Sequence, residues 1–97
     1  MQFSLVAYDH TDDDALNRRM ACREVHLEGL RKLAREGHFI SGGVLLNENG
    51  KMIGSNVHLA FEDRAALDAW LATEPYVTER VWDSIRIHDV KLFNPNA

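Results

Sequence analysis

The stretch Phe39–Phe61, FISGGVLLNENGKMIGSNVHLAF, decides how the rest of the chain is read. Asn47-Glu48-Asn49-Gly50 is a turn sequence, because Asn-Gly tolerates the positive φ that a tight hairpin needs. On its near side Phe39 to Leu46 reads as a strand with Gly42-Gly43 in its middle. On its far side Met52 to Phe61 reads as another, with Ile53, Val57, Leu59 and Phe61 in register for one face. A hairpin therefore occupies the centre of the chain, and the flanks must supply whatever covers it.

Upstream, Met1 to Tyr8 alternates. Met1, Phe3, Leu5 and Ala7 share one face, and Gln2, Ser4, Val6 and Tyr8 share the other, as in a strand. Thr11-Asp12-Asp13-Asp14 then offers oxygens that cap a helix N-terminus. The spacing predicts a helix from about Ala15 to Glu36, with Leu16, Met20, Leu27, Leu30 and Ala34 on its apolar stripe and Gly37 ending it. Downstream, Asp63 is the expected N-cap of a second helix carrying Leu67, Trp70 and Leu71, which Pro75 ends. Tyr76 to Asp83 reads as an irregular or helical turn. Ile85 to Phe93 is the expected last strand, its apolar parity changing through a bulge near His88-Asp89. The order β-α-β-β-α-β predicts an α+β, ferredoxin-like fold: four antiparallel strands with both helices on one face. The other sheet face holds apolar as well as polar residues, and a homodimer packed sheet against sheet is its simplest cover.

Composition limits the function. The chain has 97 residues, enough for one domain spanning 1–97 and too few for two. Eleven Lys and Arg against fifteen Asp and Glu leave a net charge of −4, which argues against a nucleic-acid partner. No apolar run is long enough to span a membrane, and the N-terminus lacks a secretory pattern. The one cysteine, Cys22, forms no internal disulfide and holds no zinc alone, and the five histidines show no metal-ligand spacing. The expected protein is cytoplasmic, without metal or cofactor.

The informative residues are those that break the apolar pattern. With Leu16 at zero on the first helix, Arg23 falls near about −20° and His26 near about −80°, at or inside the stripe. The two are an i,i+3 pair and therefore neighbours. Glu74 lies four residues after Trp70 and is expected in the last turn of the second helix, facing the core. A carboxylate there opposes the helix dipole unless a cation answers it, and His26 or Arg23 is placed to do so.

The residues resemble a family. Arg23-x-x-His26-Leu27-x-x-Leu30 is similar to the R-x-x-H-L segment of YciI-like (YCII-related) proteins. Glu36-Gly37-His38-Phe39-Ile40-Ser41-Gly42-Gly43 resembles the family's E-G-R-L-L-x-x-G-P stretch, and the likeness continues at Gly54-Ser55, Ala69-Trp70 and Glu74-Pro75-Tyr76-Val77. The resemblance implies a dimeric α+β barrel built from ferredoxin-like subunits, with a His–Asp pair in a small pocket. His26 matches that histidine. Glu74 stands where the family has Asp in D-P-Y, His38 replaces its arginine and Gly43 its proline. Some relatives resemble chloromuconolactone dehalogenases and lactone isomerases.

The expected function is acid–base chemistry on a small lactone or carboxylate, as an isomerase, lyase or dehalogenase-like enzyme. His26 would move the proton and Glu74 would orient it. Arg23 would hold the substrate's anionic group. Ser41, Ser55 and Tyr76 would add hydrogen bonds, and Gly42 would let the ligand approach the sheet. The alternative is a homodimer that binds a small anion without catalysis.

Overall fold

The structure, a computed structural model, describes residues 1–97. Strands β1 (Gln2–Asp9), β2 (Phe39–Leu46), β3 (Met52–Ala60) and β4 (Trp82–Val90) form one antiparallel sheet in the order β2-β3-β1-β4. Helices α1 (Ala15–Arg35), α2 (Arg64–Leu71) and the single turn α3 (Pro75–Thr78) connect them. This is the ferredoxin-like arrangement. The hairpin β2–β3 forms one side of the sheet, while β1 lies between β3 and β4.

The alternation of β1 survives folding. Phe3, Leu5 and Ala7 are fully buried, and with Val57 and Leu59 of β3, Leu33 of α1 and Leu67 of α2 they make one core. Each large apolar side chain so buried contributes roughly 1.5–3 kcal/mol. Asp63 caps α2, its carboxylate accepting a hydrogen bond from Ala66 N at 2.9 Å. Gly37 ends α1 at φ +83°, a conformation that disfavours other residues. The Asp run acts differently from a simple cap. Asp12 takes two 2.7 Å hydrogen bonds from Arg18, which hold its carboxyl well below the usual carboxylate range.

Three expectations are corrected. First, α1 is rotated by about 80° from the expected stripe. Its buried residues are Ala15, Arg19, His26 and Leu33, whereas Met20 is 51% exposed. Polar side chains with built partners turn inward, and Leu27, Leu30 and Ala34 line a cavity instead. Second, the last strand begins at Trp82 and ends at Val90, with no bulge at His88-Asp89. The register shift lies at the other end, where Tyr8 pairs with Ser84 and Asp9 with Trp82. The apolar parity change has a simpler cause: Ile85 and Ile87 pair with core-face residues and Val90 with outer-face Gln2. Third, α2 ends at Leu71 and Pro75 starts α3 rather than ending α2. Glu74 is extended (φ −71°, ψ 125°), as a residue before proline prefers, and Pro75 suits the first helical position.

At Gly54 a Cβ would collide with the backbone carbonyl of Ala7 on the neighbouring strand, whereas Gly29 on α1 has open space. Gly54→Ala is expected to lower stability by about 2 kcal/mol or more. Gly29→Ala is expected to raise it by about 0.5–1 kcal/mol. Urea unfolding of both variants checks the contrast.

Candidate functional site

A cavity of about 350 Å³ lies between α1 and the β2–β3 hairpin, on the helix-covered face of the sheet. Its walls are mostly apolar, from Leu27, Leu30 and Ala34 of α1, Phe39 and Val44 of β2 and Val57 of β3. Gly42 and Gly43 leave room along the edge strand. The polar groups gather where α1 meets α3 and β3.

His26 and Glu74 meet there. Nδ1 of His26 bonds Oε1 of Glu74, and the two residues are only 5% and 2% exposed. The same Oε1 accepts the backbone N–H of Tyr76 at 3.2 Å, so Glu74 is the N-cap of α3 and not the last-turn residue of α2. There its carboxylate meets the free backbone N–H groups of a helix start, not the carbonyl end of α2. Nε2 of His26 has no protein hydrogen-bond partner, and His26 lines the cavity. The imidazole stacks on the Tyr76 ring, centroids 3.7 Å apart and planes 9° from parallel, with Trp82 edge-on to both. These rings fix the orientation that Glu74 sets.

A second charged pair lies beside the first. Arg19 is 3% exposed and grips Asp9 through Nε at 2.7 Å and Nη2 at 3.1 Å. Nη2 also reaches Ser55 Oγ at 2.8 Å, and Ser55 Oγ accepts Trp82 Nε1 at 3.2 Å. The guanidinium carbon stands 4.7 Å from the Tyr76 ring centroid, a cation–π distance. Burial pushes the Tyr76 phenol above its usual range, although Arg19 opposes the shift. Its hydroxyl is fully buried and has no hydrogen-bond partner.

The structure thus brings His26, Glu74, Ser55 and Tyr76 together, with Arg23 and Gly42 on the same cavity. Arg23 is half-buried and forms no protein ion pair, so His26 is the group that answers Glu74. Ser41 is not part of the site. It pairs with His58 on the opposite sheet face and bonds His58 Nδ1 at 3.1 Å. An irregularity between Phe39 and Ser41 shifts the register there. Cys22 packs against the core, with burial raising its thiol and Sγ bonding Arg18 O at 3.3 Å.

Arg19, Asp9 and Trp82 are the partners that sequence reasoning missed. A signal existed for two of them. Asp9 continues the Phe3-Leu5-Ala7 face by period two, and Arg19 falls near about −60°, between Leu30 and His26.

The family model of the YCII-related domain matches residues 1–91. The chain belongs to the YCII-related family. Protein YciI of Escherichia coli O6:H1 is 30% identical over 92 residues, covering 89% of this chain and 94% of that protein. Among solved structures, the 5-chloro-2-hydroxyhydroquinone dehydrochlorinase of Burkholderia phenoliruptrix AC1100, in complex with 2,5-dihydroxybenzoquinone, superposes with a TM-score of 0.80. It is 18% identical and covers 94% of each chain, so the likeness is one of fold. A dimeric ferredoxin-like protein from Jannaschia sp. CCS1 superposes with a TM-score of 0.51 at 20% identity, covering 94% of this YCII-related chain and 98% of its own. No helix is long and apolar enough to cross a membrane.

Two stability predictions follow from the buried groups. Asp9→Ala strands the Arg19 charge and is expected to cost about 3–5 kcal/mol, whereas the double variant Asp9→Leu/Arg19→Met recovers most of that loss; denaturant melts of the set measure both. Tyr76 behaves differently with pH. Its phenol is held neutral above the usual tyrosine range, so its contribution is complete below the unfolded-chain pKa of about 10 and declines above it. Unfolding free energies between pH 8 and 11 are expected to fall more steeply for the wild type than for Tyr76→Phe.

Proposed function

We propose that this YCII-related protein is a small-molecule enzyme in which His26, oriented by Glu74, carries out proton transfer. The observation that supports this most directly is the buried His26–Glu74 pair, with its second ring nitrogen at the cavity wall. A carboxylate that accepts a hydrogen bond from Nδ1–H leaves the lone pair on Nε2, the nitrogen that meets substrate. When Nε2 takes a proton, Glu74 stabilises the resulting imidazolium without itself moving.

The apolar walls suit a small, largely flat molecule, and Arg23, free of protein partners, suits an anionic group on it. Elimination and isomerisation both fit such a site. In an elimination Nε2 removes a proton from carbon, the C–H electron pair becomes the new double bond, and chloride leaves with the electrons of its own bond. In an isomerisation the same proton returns to a different atom. The dehydrochlorinase likeness favours trying the elimination first.

A cytoplasmic homodimer belongs to the same reading. The outer sheet face carries exposed Tyr8 and half-buried Val6, Leu45 and Val90, and a second copy would cover them. The dimeric relative of the same fold supports this.

The test is turnover on a panel of chlorinated hydroquinones and small lactones, followed by chloride release and product absorbance. The wild type is expected to turn over at least one compound. His26→Ala should lower kcat by about 100-fold or more while circular dichroism stays native, and Glu74→Gln should lower it by about tenfold or more. Binding of panel compounds with no turnover by the wild type would favour the non-catalytic, anion-binding homodimer.

A further inference from the structure

One end of the cavity offers hydrogen-bond donors in excess. Arg19 uses Nε and Nη2 on Asp9 and Ser55, and its Nη1 has no protein acceptor. Nη1 is not occluded either, because Tyr76 Oη is the one fully buried side-chain nitrogen or oxygen without a partner. The cavity is therefore where Nη1 opens, since Arg19 lines it.

Ser55 is constrained in a complementary way. Its Oγ accepts from Arg19 Nη2 and from Trp82 Nε1, and neither partner can accept a hydrogen bond in return. Both lone pairs are engaged, so the hydroxyl hydrogen must go elsewhere. No protein acceptor takes it, and Ser55 also lines the cavity. Arg23 adds an unpaired charge on the same cavity, while the Tyr76 hydroxyl, a second unmatched hydroxyl, is occluded. Apart from the His26 Nε2 lone pair and the occluded Tyr76 hydroxyl, the unmatched groups at this end are all donors. Asp9 offsets Arg19, which leaves the Arg23 charge unanswered. An oxygen bearing negative charge bonds such donors roughly twice as strongly as a neutral amide oxygen does, and a cation is repelled by them.

We propose that Arg19 Nη1 and the Ser55 hydroxyl form an oxyanion subsite that holds a carboxylate, enolate or phenolate oxygen of the substrate beside His26. The subsite rests on the reading of this cavity as the substrate site, and it assigns a binding role to two residues whose other contacts look structural. Asp9 and Trp82 are positioning residues: one aims the guanidinium, the other occupies the second lone pair of Ser55. An oxyanion held there would also favour proton removal by His26, because the negative charge that develops on the substrate would meet donors already in place.

Benzoate and benzamide have nearly the same shape and differ in charge, so their affinities, measured by calorimetry at neutral pH, test the subsite. The wild type is expected to bind benzoate at least about tenfold more tightly than benzamide. Arg19→Lys keeps a charge near Asp9 but loses the Nη1 fork, and the preference is expected to fall at least about fivefold. If that variant does not fold, Asp9→Leu/Arg19→Met carries the test, since an apolar pair of similar volume replaces a buried ion pair without net loss in many proteins. Equal binding of the two probes by the wild type overturns the proposal. So does a folded double variant that keeps the preference, or a preference that Arg23→Gln alone abolishes. The acid–base reading fails separately, through turnover that is indifferent to His26→Ala, a result that leaves the benzoate preference as it was.

Discussion

Asp9 is carried into the core by the same alternation that buries Phe3, Leu5 and Ala7, and its charge has to be answered there. An unpaired buried carboxylate costs several kcal/mol, so the helix laid over β1 must present a cation at that point. Arg19 is that cation, and its planar fork accounts for the two-point grip. Once Arg19 faces inward, helical periodicity also turns His26 and Leu33 inward, seven and fourteen residues on. The orientation of α1, and with it the position of His26, follows from one ion pair.

The cavity is the other consequence of that rotation. Leu27, Leu30 and Ala34 would have sealed α1 against the sheet had they pointed straight down. Displaced to the side, they line an apolar cleft against the edge strand, where Gly42 and Gly43 add no bulk. The closed end collects the polar groups: the His26–Glu74 pair, the Arg19–Asp9 pair, and Ser55 and Tyr76 between them. Apolar walls with convergent polar groups at one end are the usual form of a small-molecule site. The unmatched donors there, together with a buried imidazole whose Nε2 has no protein partner, are a local departure from the rule that buried polar groups find partners.

Much of the fold was legible in the chain. Period-two alternation identified β1, Asn47–Gly50 identified the hairpin, and Asp63 and Gly37 marked helix ends that the structure keeps. The two expected pairing partners, His26 and Glu74, do meet. What was not legible came from features that local pattern treats ambiguously. Glu74-Pro75 reads equally well as the end of one helix or the start of another. Ser41 lies one residue from the cavity-lining Gly42, and a single step along a strand changes the face on which a side chain emerges. Arg19 went unread because an apolar stripe is found by counting apolar residues, and the true inward face of α1 is partly polar.

The sequence by itself determined the order of elements, the strand faces, the ferredoxin-like class and the candidate pair His26 and Glu74. These rest on short-range periodicity and on backbone preferences that each residue carries wherever it sits. Only the tertiary structure decided which way α1 rolls on the sheet, that Glu74 caps α3, that Ser41 faces away, and that Arg19, Asp9, Ser55 and Trp82 form one network. Those outcomes depend on which charges and lone pairs are matched across elements far apart in the chain, and no local pattern records that matching.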